Sequence, residues 1–175
     1  EIEKLKKTIG FIARVFSRNY AMEVLPSPDG GWSCGLKLRA DDEIEQFIIG
    51  KIPSIDHLSD DYFKPSQIFY GLKDLEESPE DEVMAVLRHE VAHALHSDYR
   101  LMIKGQRLAH DQGYLPTSWM NIANALEDPW VNDKEMSGSE VVRERMLKRY
   151  TGWRKDVSAQ INTQPVTRQL GLNII

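Results

Sequence analysis

The chain has 175 residues and a mass of 20.1 kDa, with 41% hydrophobic and 28% charged residues. That usage argues against disordered and fibrous classes and suits a single domain over residues 1–175. Lys and Arg total 22 against 27 Asp and Glu, a net charge of −5, which disfavours nucleic acid as a partner. One cysteine, Cys34, excludes an internal disulfide framework. No apolar run reaches the ~18–20 residues of a membrane span, and no leader pattern is visible. A cytoplasmic setting without a membrane partner is therefore the default expectation. The start at Glu1 rather than Met leaves room for further domains or protein partners.

Residues 1–25 read as an N-terminal helix, with Ile2, Leu5, Ile9, Ile12, Ala13 and Phe16 at helical spacing. Leu25 to Gly31 is turn chemistry, two prolines followed by two glycines. Residues 26–77 read as a sheet region. Trp32–Leu38 and Ile44–Ile52 form a candidate hairpin around Asp41 and Asp42, residues 53–66 a loop, and Gln67–Leu72 a further strand. Residues 78–136 turn helical. Ser78-Pro79-Glu80-Asp81 supplies an N-cap hydroxyl, a proline at the first helical position and acids at the positive end of the helix dipole. That helix is expected to run to about Ser97. A second follows over Tyr99–Gln112, stopping near Gly113, and a third over Trp119–Met136, opened by Pro116-Thr117-Ser118. Ser137-Gly138-Ser139 ends it. Residues 137–175 read as a charged helix from Glu140 to Tyr150 and a tail that is irregular from Asn162. Arg143, Arg145, Lys148, Arg149, Arg154 and Lys155 are interspersed with Glu140 and Glu144, the pattern of a solvated helix face.

One motif carries chemistry: His89-Glu90-Val91-Ala92-His93. On a helix, residues i and i+4 share a face about 6 Å apart, within reach of one Zn²⁺ for two imidazoles. Glu90 stands ~100° around the helix from His89, beside the metal rather than on it. From there it can take a proton from zinc-bound water, whose pKa falls towards ~7. Val83, Leu87, Val91, Ala94 and Leu95 form an apolar stripe opposite His89, His93 and His96, so the helix has a core face and a histidine face. His96 lies two turns from His89 and reads as solvated or as a support to the ligands.

A catalytic zinc site takes three protein ligands and leaves one position open. Asn124, Glu127 and Asp128 share a face of the third helix. Glu127 is assigned as the third ligand, completing His89 and His93, with Asp128 the alternative. The neighbouring carboxylate is expected to orient a ligand imidazole through its other ring nitrogen.

At these residues the chain resembles the zincins, metallopeptidases built on a His-Glu-x-x-His helix, and most closely the gluzincin branch with its downstream acidic ligand. It departs from that branch at position 131, Val where the pattern has Asp. Residues 119–132 are loosely similar to metallopeptidase-like domains associated with von Willebrand type A proteins. The resemblance implies an α+β, zincin-like fold, mostly helical, with a small antiparallel or mixed sheet packed on the motif helix. It also implies an edge strand that binds an extended substrate by strand addition. Gln67–Leu72 is assigned that edge.

The expected activity is zinc-dependent hydrolysis of peptide bonds in a peptide or protein substrate. His89, His93 and Glu127 hold Zn²⁺, and Glu90 acts as the catalytic base. Tyr99, His110, Tyr114 and Tyr150 are candidate oxyanion donors. The alternative is a catalytically inactive zincin-like interaction module, part of a larger ATPase-linked or von Willebrand-type protein.

Overall fold

A computed structural model of the chain describes residues 2–37, 42–148 and 151. The fold is α+β: helices dominate, and one small sheet packs beside the motif helix. The elements in order are α1 (Ile2–Phe16), β1 (Glu23–Pro26), β2 (Ser33–Gly35), α2 (Glu43–Ile48), β3 (Gln67–Tyr70), α3 (Leu72–Glu77), α4 (Glu80–His96), α5 (Tyr99–Asp111) and α6 (Pro116–Met136). A seventh helix, α7, has its described part over 140–148. Among the described residues, no helix is long and apolar enough to cross a membrane.

The N-terminal helix ends at Phe16, short of the expected residue 25, and the chain re-enters as β1. Arg18 takes φ 55, a left-handed conformation that stops a helix. The side chain of Asn19 then accepts from the Ala21 amide at 3.1 Å and donates to the Pro65 carbonyl at 3.1 Å. These bonds give the backbone an alternative to helix and pin the turn to the chain entering β3.

Residues 44–52 are not a strand. Six residues from Glu43 form α2, because the Asp42 carboxylate accepts from the Ile44 amide at 2.9 Å and Glu43 and Glu45 lie in the first turn. Ile44 and Phe47 then point into one core, an i, i+3 pair that a strand would have split between two faces. The hairpin partner expected for residues 32–38 is therefore absent. Cys34 lies opposite Ile68 of β3 instead, in antiparallel register. Leu38 and Asp41 lie outside the described residues.

Strand order is β1-β3-β2, with β1 parallel and β2 antiparallel to β3. The sheet is mixed, and β3 is its centre rather than an edge. The edge assigned to Gln67–Leu72 is thus corrected: β1, hidden within the helical stretch of sequence, covers its other side. Pro26 ends β1 on the sheet margin, where a missing N–H costs nothing.

Helix α4 begins one residue later than the expected Ser78 cap. Pro79 occupies the N-cap position without a side-chain bond, while Ser78 closes α3 by donating its amide to the Asp74 carbonyl at 3.0 Å. Glu80, Asp81 and Glu82 do fill the first turn. Val83, Leu87 and Val91 pack with Ile9, Ala13, Ile68 and Tyr70 in the main core. Burial of each is worth roughly 1.5–3 kcal/mol. Ala94 packs against the same core, while Leu95, expected on the same stripe, is 42% exposed in the last turn of α4. A second core joins α2 and the 53–66 loop to α5 through Phe47, Ile55, Phe63, Met102 and Ile103.

Helix α6 runs through Pro129 without ending. It lies antiparallel on α4, tied by a half-buried Arg88–Glu135 ion pair and by bonds from His89, His93 and Ser97 to residues progressively earlier on α6. The charged face of the α7 segment is solvated at Glu140, Arg143, Glu144 and Arg145, while its other face packs, with Val142 and Met146 buried against Ala85, and Lys148 stands 3.5 Å from Glu82. Arg149, Tyr150, Arg154, Lys155 and the tail from Asn162 lie outside the described residues.

Candidate metal centre

His89 and His93 project from the face of α4 that meets α6. Their Nε2 atoms are 3.2 Å apart, and the rings meet edge to face with centroids 4.7 Å apart. Asp128 of α6 completes the group: its Oδ1 lies 3.2 Å from His93 Nε2 and 3.7 Å from His89 Nε2. These three residues each offer a ligand atom, all within 4.8 Å of one another, so a His-His-Asp group stands at metal-binding distance.

The far ring nitrogens are both held. His89 Nδ1 lies 2.8 Å from Asn132 Oδ1, which only accepts, so Nδ1–H is the donor. His93 Nδ1 lies 2.9 Å from Ser97 Oγ and 3.3 Å from Glu127 Oε2. Ser97 donates its own hydroxyl proton to Glu127 at 2.7 Å, which leaves its oxygen free to accept from His93. With both Nδ1 atoms protonated, two neutral imidazoles present Nε2 lone pairs to one point. That arrangement is repulsive unless a proton or a cation sits between them.

Without a cation, the site's charges divide accordingly. Burial and then the neighbouring His93 lower the pKa of His89. Burial also disfavours a charged His93, but the Asp128 hydrogen bond and the charges of Glu90, Asp128 and Glu127 outweigh it, and its pKa is raised. Glu90 is 6% exposed. Burial pushes its carboxyl up to about 7, helped by Asp128 and opposed by His93 and the backbone amide of Cys34.

The two carboxylates of α6 occupy positions opposite to those expected. Asp128, not Glu127, joins the Nε2 atoms, and Glu127 sits behind His93 among the groups that orient it. Spacing alone does not distinguish adjacent residues that flank one helix face. The register of α4 on α6 does, and Arg88–Glu135 and His89–Asn132 set it. Ser97 and Asn132 were not singled out from the sequence. Their signal was present: Ser97 is i+4 from His93, and Asn132 is i+4 from Asp128.

A cleft of about 170 Å³ opens onto the group, lined by Glu90, Trp32, Cys34, Met102, Met120 and Asn124 among others. Edge strand β2 forms one wall. At Cys34 the amide faces the Glu90 carboxylate, and the carbonyl accepts the Tyr99 hydroxyl at 3.1 Å. The centre of that edge is therefore engaged by the protein's own side chains. Among the described residues, Tyr99 is the one expected oxyanion donor that lines the cleft, and its hydroxyl is committed to Cys34. His110 lies against Gly50 instead, Tyr114 lines a different groove, and Tyr150 lies outside the described residues. His96 is exposed, its ring against Trp130 at 5.9 Å between centroids.

Comparison with protein-family models, curated proteins and solved structures gives no match to this chain.

Proposed function

We propose that the chain is a zinc-dependent hydrolase of the zincin type, cleaving peptide bonds, with His89, His93 and Asp128 as the metal ligands. The observation that carries the reading is the convergence of two Nε2 lone pairs and one carboxylate oxygen beside a buried glutamate. Tetrahedral zinc, with Zn–N and Zn–O near 2.0–2.2 Å, sets its ligand atoms roughly 3.3–3.5 Å apart. The separations of 3.2, 3.2 and 3.7 Å fit that triangle. The oriented Nδ1 atoms are the support that ligating histidines ordinarily receive. Hence the donor set suits the ion.

When bound, Zn²⁺ supplies a Lewis acid that polarises the scissile carbonyl and acidifies water. Glu90 lies in the same cleft. It accepts a proton from the attacking water and passes it to the amine nitrogen as the C–N bond breaks. Asn132, Ser97 and Glu127 hold the imidazoles in the tautomer that leaves Nε2 open. Trp32, Met102 and Met120 restrict water around the reacting groups.

The test is metal content by mass spectrometry on protein purified without added metal, beside the His89→Ala/His93→Ala variant. About one zinc per chain, lost in the variant, is expected. Hydrolysis of a peptide library should follow, absent in Glu90→Gln although zinc is retained. Failure of the wild type to take up zinc offered at neutral pH overturns the reading in favour of the inactive interaction module.

A further inference from the structure

Helices α5 and α6 form a hairpin whose outer face, turned away from the metal centre, is apolar and, among the described residues, uncovered. A groove of about 310 Å³ runs between them. Its floor is Gly105, where even a Cβ would meet the Trp119 ring at 2.1 Å. None of the residues lining it is charged. Around it stand Leu108 and Ile122, 59% and 49% exposed, and Tyr114 and Leu115 at 69% and 70%. Leu101 extends the row on α5 and Leu126 on α6, at 63% and 70%. They follow helical spacing, Leu101 to Leu108 by seven and Ile122 to Leu126 by four, so each set lies on one helix face.

We infer that this face binds a second copy of the chain, two α5–α6 hairpins packing about a twofold axis as a four-helix bundle. Three observations favour a second copy as the occupant. The six residues named are each about half to two-thirds exposed, and together they offer on the order of 800 Å² of surface, close to what each partner of a stable dimer buries. A twofold pairing also brings each group near the axis against its own copy, so charge there repels itself. This groove carries none, although the chain as a whole has a net charge of −5. Finally, one face holds both hole and knob: the Gly105 groove, and the projecting Leu126 and Leu115 side chains that can fill the groove of a partner. Such self-complementarity is what an isologous interface requires. The metal centre lies on the other side of α6 and stays open in this assembly.

The experiment is sedimentation velocity with light scattering on the full chain at 1–100 μM, a range of ~μM affinity. The wild type should have twice the chain mass of 20.1 kDa. Ile122→Glu/Leu126→Glu on α6, and separately Leu108→Glu on α5, should each weaken self-association at least ~10-fold, with unchanged circular dichroism because these positions are exposed. A monomeric wild type overturns the proposal. Deletion of residues 162–175 would then show, by hydrophobic dye binding, whether the chain's own apolar end covers the groove. A dimer that survives all these substitutions overturns the assignment to this face.

Discussion

Glu127 and Asp128 are neighbours in the chain but lie on opposite sides of one imidazole. Asp128 Oδ1 is 3.2 Å from Nε2 of His93, while Glu127 Oε2 is 3.3 Å from its Nδ1. In the proposed zinc site the first position would be that of a ligand and the second that of a group orienting one. Substitutions at the two should therefore differ in size. Asp128→Asn is expected to weaken zinc binding more than ~100-fold, and Glu127→Gln by about 10-fold. Competition against a chromophoric chelator measures both. The reverse ranking would return the ligand role to Glu127.

Cys34 lies in the wall of the cleft, and burial pushes its thiol from 9.0 up to about 12, with the Tyr99 hydroxyl opposing and Glu90 adding to the rise. The thiolate, not the thiol, is alkylated. At pH 8.5 the folded protein should react with iodoacetamide at least ~100-fold more slowly than the denatured chain. The linked stability has a definite sign. The folded state holds the thiol proton more tightly, so its contribution is intact below pH 9 and declines as pH rises from 9 towards 12. Denaturation across that range should fall more steeply for the wild type than for Cys34→Ala. Equal slopes would mean that the thiol is not buried as described.

Asp42 is the cap that makes residues 43–48 helical. Asp42→Ala removes the acceptor of the Ile44 amide and should cost about 1 kcal/mol in urea denaturation. If that segment were a strand, the substitution would leave stability unchanged.

Gly105 permits α5 and α6 to approach through the Trp119 ring, whose Nε1 donates to the Met102 carbonyl at 3.1 Å. Gly105→Ala places a methyl group where the ring lies and breaks that bond. A loss of roughly 1–3 kcal/mol is expected, with red-shifted tryptophan emission. Full stability in this variant would show that the helices pack with more room than described.

What the sequence determined by itself was local. The i, i+4 histidines, the acidic first turn of α4, its core stripe as far as Ala94, the stop at Gly113 and the helix opened by Pro116 all rest on interactions within a few residues. Side-chain type and spacing suffice for those. The choice between α2 and a strand is also local in origin: the Asp42 cap and first-turn acids favour helix, whereas Ile44, Ile48, Ile49 and Ile52 favour strand, and the cap prevails. Other features were decided only by tertiary structure. β3 became central because β1, more than forty residues earlier in the chain, came alongside it. Asp128 rather than Glu127 met the histidines because ion pairing and packing set the register of α6 on α4. Adjacent residues on a helix differ by ~100° in direction, so sliding or rotating one helix against another exchanges their roles without changing a single local preference.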